Sequence, residues 1–187
     1  MPSPTDDKFM KFQKKQFTVR DITITGVLGA LMLAISYIES VVTSLLPLPP
    51  GVKPGLANIV VMFACSVMGF GYALCLTLIK SAFQLLLSGA TAGFISLSGG
   101  ILSVTATALL IRFASKKLSY IGISVLGALC HNIGQTAAAC IIIGSIYYLA
   151  YLPVLVISAV VTGCVTGAAL KIIMPQIEKL RLFEKYK

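Results

Sequence analysis

Tryptophan is absent from this chain, histidine occurs once, and no aspartate follows Asp21. Charge is scarce too: 11% of the 187 residues are charged, against roughly 25% in soluble domains. Too few charged side chains exist to cover a soluble globular domain. The single histidine, His131, excludes a haem held between two histidines. Cys65, Cys75, Cys130, Cys140 and Cys164 form no CxxC pair, so neither a metal site nor a disulfide framework is written in their spacing. They read as small apolar residues buried within hydrophobic segments. There is no GxSxG elbow, no Walker loop and no pair of carboxylates inside an apolar segment. An enzyme acting on prenyl diphosphates would need aspartate-rich motifs to hold magnesium. The expectation is a protein without catalytic residues, metal or cofactor.

What is present is hydrophobic: 57% of the residues, with a mean hydropathy of +0.95. Continuous apolar runs of about 18 residues or more recur, the length that crosses a bilayer as a helix. A membrane β-barrel would alternate apolar and polar residues in segments of about ten. The fold class is therefore all-α, a polytopic membrane bundle of about six helices. Their expected spans are 22–45, 56–68, 72–87, 94–113, 121–146 and 153–174; the second and third are short enough for one to be tilted or re-entrant, which leaves five crossings as the alternative to six. Thr18 or Asp21 can cap the first, whose apolar run is too long for a signal-peptide core and is expected to be retained. Pro47 to Gly55, PLPPGVKPG, cannot be helical. Gly69 to Gly71 and the SGATAG connection separate the next helices, and Pro175 closes the last. Tyr147, Tyr148 and Tyr151 sit where an aromatic belt meets the interface.

The net charge of +9 comes from clusters outside these runs. Basic residues crowd the segment 1–21, the loop with Arg112, Lys116 and Lys117, and the tail 175–187. They read as positive-inside topology signals flanking a 22–174 membrane domain, with both termini cytoplasmic, and not as a nucleic-acid surface. The outer connections carry only Lys53.

Polar residues inside apolar spans are costly and mark function by default. Glu39 is the only acidic residue between Asp21 and Glu178; it falls near the outer end of the first helix, as a site carboxylate or one facing water. Asn58 opens the second helix and can cap it. Lys80 and Gln84 share a face at i, i+4 spacing, and Lys80 is long enough to snorkel to the surface. In LGALCHNIGQ, His131 lies near mid-membrane with Gln135 one turn on, and Asn132 points about 100° away. His131 reads either as a packed core residue or as part of a polar wall. Gly127 and Gly134 thin the helix beside it.

Two helices carry small residues at fourfold spacing, which lets another helix approach closely. Gly26, Ala30 and Ala34 line the first helix, facing either a partner subunit or an internal neighbour. Ala159, Gly163 and Gly167 line the sixth, where packing within the bundle is expected.

The strings VLGALMLAISYIES, LPLPPGVKPGLANIVV, ISVLGALCHNIGQ and YYLAYLPVLVISAVVTGCVTG resemble a bacterial membrane family over about residues 22 to 173. It is labelled the Gx transporter family, or heptaprenyl diphosphate synthase component I. That family is similar to the substrate-binding S components of energy-coupling factor (ECF) vitamin transporters. The resemblance implies a bacterial inner-membrane protein with six helices, partnered by an ECF T subunit and two ATPase subunits. It implies that Ala30 and Ala34, with Gly26, meet the T subunit. It also implies an outer pocket for a small vitamin- or cofactor-like molecule, such as a flavin or quinone precursor. By position, that pocket takes Glu39, Lys53, Asn58, Ser96, Ser98, His131, Asn132 and Gln135. The Pro47 to Gly55 loop acts as lid or wall, with Lys53 favouring an anionic group. Gly99 and Gly100 permit close approach of substrate or helix. The rival readings are a non-catalytic membrane component of a polyprenyl diphosphate synthase and an assembly factor of a membrane redox complex.

Overall fold

A computed structural model describes residues 18–45, 55–114 and 117–179. The Pro47 to Gly55 loop up to residue 54, including Lys53, lies outside these residues, as do 1–17 of the basic N-terminal segment and 180–187 of the basic tail. In chain order the elements are α1 (Val19–Ser44), α2 (Asn58–Val67), α3 (Phe70–Ala114), α4 (Tyr120–Ile143), a 3-10 turn (Ile146–Tyr151) and α5 (Leu152–Lys179). No strand occurs among the described residues.

Local chemistry explains most of the boundaries. Thr18 is extended and precedes α1, and its N–H donates to Asp21 Oδ2 at 3.1 Å, the returning arm of a capping box. Ser119 caps α4, accepting from Gly122 N–H at 3.3 Å. That helix stops three residues before the expected Ile146, because Gly144 takes the left-handed conformation at φ 68°. The three tyrosines then fall in the 3-10 turn. Pro175 does not end the last helix, which runs on to Lys179. A proline lacks one N–H donor, and this close to a helix end the loss is one bond.

The 45 residues of α3 would measure about 68 Å if straight, over twice the roughly 30 Å of a hydrocarbon core. Instead the chain breaks at Gly89, with φ 87° and ψ 176°. Gly93 packs on Leu85 and Gly100 on Thr77, so the two limbs run antiparallel. A Cβ on Gly93 would sit 2.7 Å from Leu85 Cβ; the turn closes only because none is there. The expected six-residue SGATAG connection shrinks to one glycine, with helix on both sides.

Among the described residues, four helices are long and apolar enough to cross a membrane, against the six crossings expected. The difference lies in α3, which counts once though doubled back, and in α2. At ten residues, about 15 Å, α2 cannot cross alone. It is instead the centre of the bundle, buried from Val60 to Cys65. Met32 of α1, Leu76 and Val104 of the two α3 limbs close around it, and Phe63 meets Leu170 of α5. Of the five cysteines only Cys65 is buried; Cys75 and Cys164 are exposed on the outer surface, and all five are free. A thiol tolerates either environment, so burial could not be read from its apolar neighbours.

The two small-residue stripes part company. On α5, Ala159, Gly163 and Gly167 are buried. A Cβ on Gly163 would lie 2.6 Å from Val125 Cα, and one on Gly167 2.5 Å from Ile121 Cα. Backbone meets backbone there. On α1, Gly26, Ala30 and Ala34 are exposed, and the buried face is Asp21, Gly29, Met32, Ser36 and Glu39.

Candidate functional site

The site is built where α2 begins, in mid-bundle. Lys80 stands ten residues into α3 and His131 eleven into α4, each about 15 Å along its helix. A helix beginning at that depth leaves backbone N–H groups with no water to meet them, and lipid offers no substitute. Glu39 of α1 supplies the acceptor. Its Oε1 takes the N–H of Gly55 and, at 2.9 Å, the N–H of Leu56. Only 2% of Glu39 is exposed, so it does not face water as an interfacial carboxylate.

Asn58 does not cap α2; Ala57 holds that position. Its Oδ1 accepts from Lys80 Nζ at 3.0 Å. Lys80 is 5% exposed and therefore does not snorkel. It lies within electrostatic reach of both Glu39 and His131. One turn further along α3, Gln84 is buried and donates to Ser88 Oγ at 2.7 Å.

His131 is fully buried, and its Nε2 lies 2.9 Å from Gln135 Nε2. The imidazole is held between two glycines. A Cβ on Gly55 would sit 3.2 Å from its Cδ2, and one on Gly99 3.2 Å from its Cε1. Gly55 also has φ 95°, a conformation that favours glycine. Asn132 turns away from this group, and its Nδ2 donates to the Leu155 carbonyl of α5 at 2.7 Å. Glu39, Asn58, Lys80, His131 and Gln135 thus converge from four helices around Gly55.

Four atoms in and beside this cluster have no hydrogen-bond partner among the described residues: Glu39 Oε2, Asn58 Nδ2, His131 Nδ1 and Asn132 Oδ1. Unpaired buried polar groups are expensive, at about 1–3 kcal/mol each in proteins. Below Asn58 a cavity of about 20 Å³ is lined by Ser103, Thr107, Ser124, Thr162 and Thr166, room for one water. Its hydroxyls bond within the bundle: Ser103 donates to the Gly127 carbonyl at 2.9 Å, and Ser124 pairs with Thr166. A Cβ at Gly127 would fall 2.6 Å from Thr107 Oγ1.

Of the residues expected in a pocket, the fold gathers Glu39, Asn58, His131 and Gln135, and leaves Asn132 one face away. Ser96 is buried on the second limb of α3. Ser98 is exposed, with its hydroxyl donating to the Phe94 carbonyl of its own helix at 3.0 Å, so it stands outside the cluster. Lys53 lies outside the described residues. Lys80 was absent from the expected set because a lysine in an apolar helix can snorkel; its i, i+4 pairing with Gln84 was the signal for burial. Gly99 and Gly100 serve helix approach, against His131 and Thr77.

A second feature lies at the other end of α1. An apolar groove of about 640 Å³ runs between α1 and the first limb of α3, walled by Gly26, Ala30, Leu33, Tyr72, Cys75 and Ile79. A Cβ at Gly26 or Gly71 would meet nothing within 4 Å. Tyr72 closes the end of the groove with a hydrogen bond to Asp21.

A family model described as heptaprenyl diphosphate synthase component I matches residues 28–173. No curated protein and no solved structure matches the chain. The chain belongs to the heptaprenyl diphosphate synthase component I family.

Proposed function

We propose that this chain is a membrane-embedded binding subunit, similar to the S components of ECF transporters, that captures a small cofactor-like molecule for an ATP-driven partner. The observation that carries this reading is the polar cluster at the start of a half-length helix in mid-bundle. Transporters hold substrates at such interrupted helices, where backbone and side-chain groups converge away from lipid. Glu39, Lys80, Asn58 and His131 are the anchors, and the chain binds without catalysing. In this reading the two limbs of α3 cross the membrane separately and α2 completes a six-segment bundle in a bacterial inner membrane, with both termini cytoplasmic. The exposed Gly26, Ala30 and Ala34 stripe, with the groove beside it, supports a docking face for the T subunit, which two ATPase subunits drive.

The family's own description favours a second reading, a non-catalytic membrane component that assembles with a prenyl diphosphate synthase. Native purification followed by mass spectrometry of subunits and small molecules separates the two. ATPase subunits and a bound small molecule support the first; a soluble aspartate-rich synthase, with prenyl product requiring both chains, supports the second. Within the first reading, His131→Leu should weaken ligand binding at least tenfold, about 1.4 kcal/mol, while leaving membrane insertion intact. Unchanged affinity returns His131 to a packing role.

A further inference from the structure

We infer that the cavity at the basic end of the bundle, between the end of α3 and the start of α4, takes the phosphate of an anionic phospholipid, with Lys171 as its counter-ion. This site lies apart from the mid-bundle cluster, and its lipid is a second ligand.

A cavity of about 270 Å³ is open here without any rearrangement. Ile111 at the end of α3, Leu118 in the connection and Ile123 of α4 give it apolar walls, while Ser119 and Lys171 give it polar ones. Ile123 is buried with Phe63 and Leu170, which closes the cavity toward the interior. Ser66 stands on the α2 side, but its hydroxyl donates to the Met62 carbonyl at 2.9 Å and has no proton left to give. The remaining donors are the Lys171 ammonium, with three N–H groups, and the Ser119 hydroxyl, whose oxygen already accepts from Gly122 N–H.

The charge around this space has one sign. Among the side chains described, the carboxylates are Asp21 and Glu39, and neither lines the cavity. Glu39 is occupied in mid-bundle by the N–H groups of Gly55 and Leu56, and Asp21 by Thr18 and Tyr72. Glu178 follows seven residues after Lys171 on α5, about 10 Å further along the helix. Lys171 is exposed and makes no ion pair among the described residues. Arg112 follows Ile111 and Lys117 precedes Leu118, so two more cations adjoin the lining. The lysine and the cavity carry the inference; the positive end of the α4 dipole adds to the same field.

The walls select a lipid over a soluble anion. A free phosphate gains nothing from Ile111, Leu118 and Ile123. Phe113 and Ile172, each close in sequence to a lining residue, are exposed and offer apolar surface to acyl chains. A phosphodiester in the cavity meets Lys171 while its chains stay on that surface. Basic pockets between membrane helices hold anionic head groups in this way. A zwitterionic head would bring its own ammonium beside Lys171, Arg112 and Lys117, and is disfavoured.

The test uses the full chain in mild detergent and native mass spectrometry. Phosphatidylglycerol and phosphatidylcholine with identical acyl chains are the probes, and inorganic phosphate is the competitor. The first phosphatidylglycerol should bind about fivefold more tightly than phosphatidylcholine, the effect of one cationic side chain near an anionic head group. Lys171→Gln should erase that preference and Lys171→Arg should keep it. Lys179→Gln, about two turns further along α5, should leave it intact. Equal binding of the two lipids overturns the inference. So does a loss in Lys179→Gln as large as in Lys171→Gln, which would mean diffuse surface charge only. Displacement of the lipid by inorganic phosphate also overturns it, in favour of a soluble anion. The lipid comparison and the phosphate competition are made on the unaltered chain, so a folding defect in a variant cannot decide the outcome.

Discussion

The stripes on α1 and α5 both set glycine and alanine at fourfold spacing, and the fold uses them in opposite ways. Gly163 and Gly167 sit against the backbone of α4, where no side chain fits. Gly26, Ala30 and Ala34 look outward, and α1 has 22% of its most apolar stretch buried, against 50% for α4. A small-xxx-small pattern therefore states that some helix can come close. Whether that helix belongs to the same chain depends on which other face of the helix has stronger claims. On α1 the claim belongs to Asp21, Met32, Ser36 and Glu39, which need the bundle more than the small residues do.

The comparison breaks most visibly on α5. Gly163→Val or Gly167→Val should cost about 3 kcal/mol or more, since overpacking against a backbone cannot be relieved by a rotamer change. Loss of monodisperse protein, or a large fall in the thermal midpoint in detergent, measures it. If both variants keep the wild-type midpoint, the α4–α5 contact is looser than the structure has it. Next comes the polar cluster. Lys80→Met leaves Glu39 buried without its counter-charge and should destabilise by about 3 kcal/mol. Adding Glu39→Gln should cost less than the two single changes summed, because the partners couple. Strict additivity in thermal or denaturant unfolding would mean that the two groups do not interact.

The outward stripe is the mirror case. Ala30→Leu and Ala34→Leu should leave stability within about 0.5 kcal/mol and, if the stripe is the docking face proposed above, abolish co-purification of a T subunit. Variants that unfold instead would move this stripe into the same class as the one on α5. The smallest effect is expected at Ser98→Ala, where only a bond to the helix's own carbonyl is lost. Ligand affinity and thermal midpoint should both stay put; a change in affinity would place Ser98 in the site after all.

The candidate site was legible in its parts and not in its pairings. Glu39, Asn58, His131 and Gln135 stand out because a polar residue in an apolar run is conspicuous in one dimension. Lys80 stands out equally, but its long stem gives it two ways to be satisfied, and sequence does not choose between them. Ser98 resembles Ser96 on paper, while helical rotation sends one inward and the other out. The role of Glu39 was hidden for a different reason. Its partners are backbone N–H groups sixteen and seventeen residues away, which every non-proline residue possesses and no sequence advertises.

By itself, the sequence determined that this is a helical membrane protein, where its helices start and stop to within a few residues, and which polar groups are costly. Those are local properties, set by hydropathy, prolines, glycines and caps, and lipid enforces them because it cannot satisfy a bare backbone. Only the tertiary structure decided that α3 doubles back at Gly89, that α2 becomes the half-length centre, and that one stripe is buried while the other is left free. Each of these depends on what lies across the helix from a residue, and lipid, as apolar as most of these faces, does not select the face that turns inward.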